Sequence, residues 1–205
     1  MESLLVHMSS VFSDENWSPE GASHLDLTYL EGTTCYCDHE SEIIIEKSFK
    51  PFPVNILHWI DGGDYHYLTE LWMRKLKAPA KLFLIDNHPD DQEPSFGGDI
   101  LSCGSWVSHL KRTNPLIQED AGRIYISIDL DWLSPDFART NWNQGDGTLD
   151  ELLDILRKAV SGKPVAGVDI CGGITSAQGG KAEDFAINRR TRDALQAFFA
   201  GIRAD

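Results

Sequence analysis

Short apolar runs punctuate the chain at residues 4–7, 54–60, 82–85, 124–128 and 165–170, each of strand length and several bounded by Gly, Pro or Asp. Runs this continuous predict strands buried on both faces rather than the alternating pattern of a half-exposed sheet. Between the last two, Leu149, Leu152, Leu153, Leu156 and Val160 recur at the spacing of one helix face, which predicts a helix over 148–160. Thr148 and Glu151 form a capping-box pattern that marks its start, because hydroxyl and carboxylate each satisfy an amide the first turn leaves unpaired. Weaker helical patterns cover 68–76 and 185–202, and 89–106 and 132–147 read as loops. Strands alternating with helices predict an α/β fold whose mainly parallel sheet is covered on both sides.

No internal repeat or linker-like tract divides the 205 residues, and 41% hydrophobic residues suffice for one core, so residues 1–205 are expected to form a single domain. No run approaches the roughly 20 apolar residues of a membrane span, and no leader pattern opens the chain, so a soluble, cytoplasmic protein without a membrane partner is expected. The 32 acidic against 18 basic residues give a formal charge of -14, which argues against nucleic acid as a partner. Four cysteines, Cys35, Cys37, Cys103 and Cys171, show neither a disulfide framework nor zinc-finger spacing and are expected to be reduced.

The run ending at Ile85 passes directly into Asp86-Asn87-His88-Pro89-Asp90, and the run ending at Ile128 into Asp129-Leu130-Asp131. In extended backbone, side chains two apart point the same way, so each segment gathers its polar groups at one locus where a buried strand reaches its carboxyl end. Carboxylates crowded there repel one another and resist desolvation, which divalent cations relieve. Either motif alone also suits a cap or turn; the same device after two strands points to metal. Oxygen and imidazole donors without thiolate suit manganese, Mn2+, with iron, cobalt, nickel or zinc also chemically possible. Two ions sharing a water would supply hydroxide for attack on a planar carbon.

These motifs resemble the D-x-H-x-D and S-x-D-x-D metal motifs of the ureohydrolase superfamily, the arginases and agmatinases, the second matching Ser127-Ile128-Asp129-Leu130-Asp131. The family's glycine-rich G-G-D-H turn is similar to Gly62-Gly63-Asp64-Tyr65-His66, with Tyr65 inserted. The resemblance spans residues 54–171. It implies a three-layer α/β/α fold with an eight-stranded, mainly parallel sheet, in a reduced version. It also implies two Mn2+ per chain held by His66, Asp86, His88, Asp90, Asp129 and Asp131, with a hydrogen bond in place of a metal bond as the alternative for His66. Asp90 would in addition accept a hydrogen bond from the bridging hydroxide, and Gln92 would contact the substrate. The implied reaction is hydrolysis of a small-molecule or peptidyl guanidino substrate, such as arginine or agmatine, to urea and an amine; a homo-oligomer is compatible with the family.

The chain departs from that pattern at two places. The arginases' proton-shuttling histidine is replaced by Cys103, which would be a proton donor, a nucleophile or a buried filler, and whose ordinary thiol pKa of ~8.5 makes it a different acid. The glutamate that grips the guanidinium is replaced by Gly172, leaving Asp169, Glu183 or Asp184 as substitutes. Two further readings stay open: an amide hydrolase of the deacetylase type with one zinc, and a degenerate metal-binding member without turnover. Elsewhere, His58 reads as a packed core residue, Trp132 and Trp142 as walls of the site's mouth, and Arg189, Arg190 and Arg192 as a solvated helix face.

Overall fold

A computed structural model describes residues 1–94 and 100–203. Strands β1 (Ser3–His7), β2 (Ser23–Asp26), β4 (Leu57–Ile60), β5 (Lys81–Ile85), β7 (Ile124–Asp129) and β8 (Val165–Cys171) form one sheet in the order β2-β1-β4-β8-β7-β5. Every neighbouring pair in it is parallel. The strands at its centre, β4, β7 and β8, are buried at every position, which is why their sequences are almost unbroken apolar runs. Edge strand β2, with the sequence Ser-His-Leu-Asp, is mostly exposed and carries no such signal.

Apart from β2, alternate residues of the sheet's strands enter two separate cores. Leu4, Val6 and Ile60 pack on one side with α2 (His39–Phe49), α3 (Leu68–Met73) and α4 (Trp106–Thr113). Leu5, Trp59, Ile126, Ile128 and Ile170 pack on the other with α1 (Val11–Asp14), α5 (Leu149–Val160) and α6 (Ala182–Ala200). The architecture is therefore the expected three-layer α/β/α arrangement around a parallel sheet. The expected capping box opens α5, with Thr148 and Glu151 bonded reciprocally.

The central sheet differs from the expected eight strands: among the described residues it has six. The two remaining strands, β3 (Tyr36–Cys37) and β6 (Leu101–Ser102), pair antiparallel with each other outside it. At two residues each they are shorter than the strands of the central sheet, which run from four to seven residues. Within the loop expected over 89–106, residues 95–99 lie outside the described residues.

Of the three arginines expected on a solvated face, Arg190 is exposed and Arg189 partly buried, but Arg192 turns inward. Arg192 is fully buried and bonds Glu15 through Nε at 2.6 Å, because α6 turns this side inward against α1. No helix among the described residues is long and apolar enough to cross a membrane.

Candidate metal centre

Because all six strands are parallel, their carboxyl ends lie along one edge, and β4, β8, β7 and β5 are consecutive neighbours there. The segments leaving those four strands bring His66, Cys171, Asp129 with Asp131, and Asp86 with His88 and Asp90 into one place, as open α/β sheets do. After β4 a single 3-10 turn, Gly63–Tyr65, carries the chain down to His66. The inserted Tyr65 is absorbed by burial in the core, so His66 still enters the site. A Cβ at Gly63 would stand 2.8 Å from Asp129 Oδ2, so a side chain there would displace that carboxylate.

His66 Nδ1 lies 3.1 Å from Asp86 Oδ2, 3.0 Å from Asp90 Oδ2 and 3.8 Å from Asp129 Oδ2. His88 Nδ1 lies 2.8 Å from Asp131 Oδ2 and 3.6 Å from Asp86 Oδ1. Two triads of nitrogen and oxygen donors, His66/Asp86/Asp90 and Asp86/His88/Asp131, share Asp86, and a third group that includes sulfur, His66/Asp129/Cys171, shares His66 with the first. Despite these short separations, neither His66 Nδ1 nor Asp86 Oδ2 makes a hydrogen bond to any described residue, and native interiors rarely tolerate such buried polar atoms. Hydrogen bonds from the surroundings fix the outer atoms instead: the His88 amide donates to Asp86 Oδ1 at 2.7 Å, the Asn87 amide to Asp131 Oδ1 at 3.2 Å, and the Asp131 amide to Asp129 Oδ1 at 2.9 Å. Asp90 adopts a left-handed φ of 48°, a costly conformation for a residue with a side chain, and accepts a 2.7 Å hydrogen bond at Oδ2 from Trp106 Nε1.

The charge balance also fits cations. Burial, reinforced by the charge of Asp86, pushes the Asp129 carboxyl up to about 6. Burial together with Asp129 and Asp86 pushes Asp131 up to about 9. Burial alone would lower His66, but Cys171, Asp86 and Asp90 beside it outweigh that and hold it well above its ordinary value. Without metal, protons therefore take the place of cations. Groups whose folded pKa is raised stabilise the fold while protonated and lose that contribution as they ionise. The metal-free protein is accordingly expected to lose thermal stability as the pH rises from about 4 towards about 9, the interval between the ordinary and the raised values for Asp131. Asp131→Asn should flatten that slope and raise the metal-free midpoint near pH 8 by about 2–6 °C. Unfolding scans of chelator-treated protein check both, and a midpoint that climbs with pH would refute the account.

The two triads open into a cavity of about 300 Å³ whose lining also includes Cys35, Gln92, Glu93, Cys103, Gly104 and Trp142. Gln92 is held by its backbone, its amide donating to Gly104 O at 3.0 Å and its carbonyl accepting from Ser108 Oγ at 2.9 Å. Cys103 sits across from Cys35, whose carbonyl accepts its amide at 2.9 Å. Burial, with Cys35 and Asp90 nearby, pushes the Cys103 thiol up, so it is a neutral group, suited to donating a hydrogen bond or filling space and poorly suited to nucleophilic attack. Asp64 accepts from Trp142 Nε1 at 2.9 Å, Asn141 Nδ2 at 3.1 Å and Cys35 Sγ at 3.4 Å, tying three loops together beside the cavity.

No side chain fits at Gly172. Its φ is +103° and a Cβ would stand 2.8 Å from Asp129 Oδ1 and from Leu130 Cβ. Nor do the suggested substitutes face the cavity. Asp169 is bound to His58 Nδ1 and Tyr125 Oη, both at 2.8 Å, which also makes His58 the packed residue expected. Glu183 and Asp184 lie on the first turn of α6. Among the described lining residues, Glu93 is the carboxylate outside the two triads and Asp129. Sequence reasoning passed over two residues here. Trp106 donates to Asp90, and Cys171, fully buried, brings its Sγ to 3.1 Å from Asp129 Oδ2.

No family model matches the chain. An uncharacterized protein of Thermotoga maritima is 30% identical over a 142-residue alignment, with coverage of 56% of this chain and 56% of that protein, so the match spans little more than half the length of the relative. Among solved structures, an arginase from Entamoeba histolytica in complex with L-ornithine superposes with a TM-score of 0.66 at 11% identity, covering 98% of both chains. Proclavaminate amidino hydrolase from Streptomyces clavuligerus gives 0.65 at 15% identity, covering 97% of this chain and 92% of that one. A hypothetical agmatinase from Burkholderia thailandensis gives 0.63 at 16%, covering 97% and 85%. The chain carries the arginase-like α/β fold these proteins share.

Proposed function

We propose that this protein is a hydrolase of C–N bonds in guanidino compounds, such as arginine, agmatine or peptidyl arginine, releasing urea and an amine. The observation that carries the reading is the pair of imidazole–carboxylate triads sharing Asp86, with His66 Nδ1 and Asp86 Oδ2 buried and unpartnered between them. His66, Asp86, Asp90 and Asp129 would hold one divalent ion, and Asp86, His88 and Asp131 a second, manganese being the candidate from the oxygen and imidazole donors. Divalent ions held there would supply hydroxide at neutral pH by lowering the pKa of bound water.

The chain's own residues would do the rest. His66 Nε2 faces Ser127 Oγ at 2.9 Å, and an Nε2–H donated there leaves the Nδ1 lone pair directed at the carboxylates. Trp106 holds Asp90 Oδ2 so that its carboxylate can accept a hydrogen bond from the attacking water. A guanidinium entering the cavity meets an excess of carboxylate, with Glu93 the acidic group at the rim not engaged in either triad. Glu93→Gln is expected to raise KM for a cationic substrate about tenfold and to leave kcat within about threefold, since the group binds charge without touching the reacting carbon. Equal KM values for the two proteins would remove Glu93 from that role.

The test of the whole reading is urea release from a panel of guanidino compounds, free and within peptides, by protein loaded with manganese and assayed for metal content. Urea from at least one compound, with two ions per chain, is the expected result. A metal-loaded protein that releases none would end the assignment.

A further inference from the structure

The ground for manganese in the sequence was a donor set without sulfur, and the fold brings a sulfur into it. Cys171 is the last residue of β8 and pairs in register with Asp129 on β7, so both side chains leave the same face of the sheet. It is fully buried, and its Sγ, a carboxylate oxygen of Asp129 and a ring nitrogen of His66 all lie within 4.8 Å of one another. The His66 side chain is 2% exposed, and its Nδ1 has no hydrogen-bond partner. Sulfur at ~2.3 Å and oxygen at ~2.1 Å from one ion, at angles between square and tetrahedral, stand about 3.1–3.6 Å apart. The observed Sγ to Asp129 Oδ2 separation of 3.1 Å falls at the edge of that range.

We propose that Cys171 is a metal ligand, its thiolate joining His66 and Asp129 on one of the two ions. The inference rests on the two-ion reading above. Binding exchanges a proton for the cation: the S–H bond breaks, the sulfur pair is given to the ion, and the proton leaves to solvent. One position of the pair then becomes a mixed sulfur, nitrogen and oxygen site, which selects zinc, cobalt or iron over manganese, while the Asp86/His88/Asp131 position keeps harder donors. The competing role for the same contact is a neutral thiol donating to Asp129, which would leave the metal preference unchanged.

Cobalt(II) loaded into the full chain separates them. The expected spectrum shows a near-ultraviolet sulfur-to-cobalt charge-transfer band beside the visible ligand-field bands. Cys171→Ser should lose the first and keep the second, and Cys35→Ser, Cys37→Ser and Cys103→Ser should keep both. The ratio of zinc to manganese affinity should fall at least about tenfold in Cys171→Ser. Should that variant fail to fold, X-ray absorption of the wild-type cobalt protein answers alone, through a sulfur neighbour at ~2.3 Å. Visible bands without a charge-transfer band or sulfur neighbour, a band that survives in Cys171→Ser, or an unchanged zinc-to-manganese ratio overturns the thiolate and leaves the two-ion reading standing. Protein that retains no cobalt overturns both.

Discussion

Asp86→Asn is expected to lower kcat/KM for urea release by about a thousandfold and to abolish the thermal stabilisation that added metal brings. No other side chain belongs to both the His66/Asp86/Asp90 and the Asp86/His88/Asp131 triad. One oxygen, Oδ2, stands 3.1 Å from His66 Nδ1, and the other, Oδ1, is 3.6 Å from His88 Nδ1. An amide of the same shape keeps one acceptor and turns the other into a donor, so one triad loses its shared anion whichever way the group rotates. Loss of Lewis-acid stabilisation worth several kcal/mol corresponds to about a thousandfold in rate. The backbone should be unaffected, because Asp86 follows β5 and makes no ladder bond within it. The measurements are urea kinetics and unfolding scans with and without metal, against circular dichroism as the control for folding. A variant within about tenfold of wild type, still stabilised by metal, would mean that Asp86 does not unite the two halves of the site.

The strand-end motifs were legible because chemistry and geometry coincide there: a buried strand gives an apolar run, and polar residues at alternate positions after it must share a face. That reasoning brought out Asp86, His88, Asp90, Asp129 and Asp131 from local spacing alone, and Gly62-Gly63 marked the turn that delivers His66. The capping box of α5 was legible for the same reason, since its partners are three residues apart. What depends on pairing between distant segments was not. Cys171 reaches the cluster because β8 is registered against β7 so that residue 171 meets residue 129. Trp106 reaches Asp90 because α4 returns to the site after the loop, with the Val107 amide also donating to Asp90 O at 3.0 Å. Strands β3 and β6, two residues each, lie below the length at which period-two patterning can register. That Gly172 stands where the resemblance implies a glutamate was legible, whereas the left-handed turn packed against Asp129 and Leu130 that admits no side chain there was not.

Arg192 carries the other large expectation, and it too turns on contacts far apart in the chain. Its guanidinium bonds Glu15 Oε2 at 2.6 Å and Oε1 at 3.2 Å, donates to Gly172 O at 2.6 Å, and lies over the rings of Phe12, Trp17 and Trp59 at 5.0–5.7 Å. Both partners of the pair are fully enclosed. Removing one partner of a buried pair leaves an uncompensated charge and costs about 3–5 kcal/mol, whereas replacing both with apolar residues is often close to neutral. Arg192→Met is therefore expected to lower the unfolding midpoint by about 6–20 °C in a chain of this size. Arg192→Met with Glu15→Leu should recover at least half of that loss, although Asn188 Nδ2, which donates to Glu15 Oε1 at 2.9 Å, also loses a partner. The Gly172 carbonyl, whose residue packs against Asp129, loses its guanidinium donor in both variants, so metal affinity should fall in both even where stability returns. Midpoints for the two single variants and the double variant form the cycle that checks this. Additive losses, or a single-variant loss under about 1 kcal/mol, would show that Arg192 and Glu15 do not act as a pair.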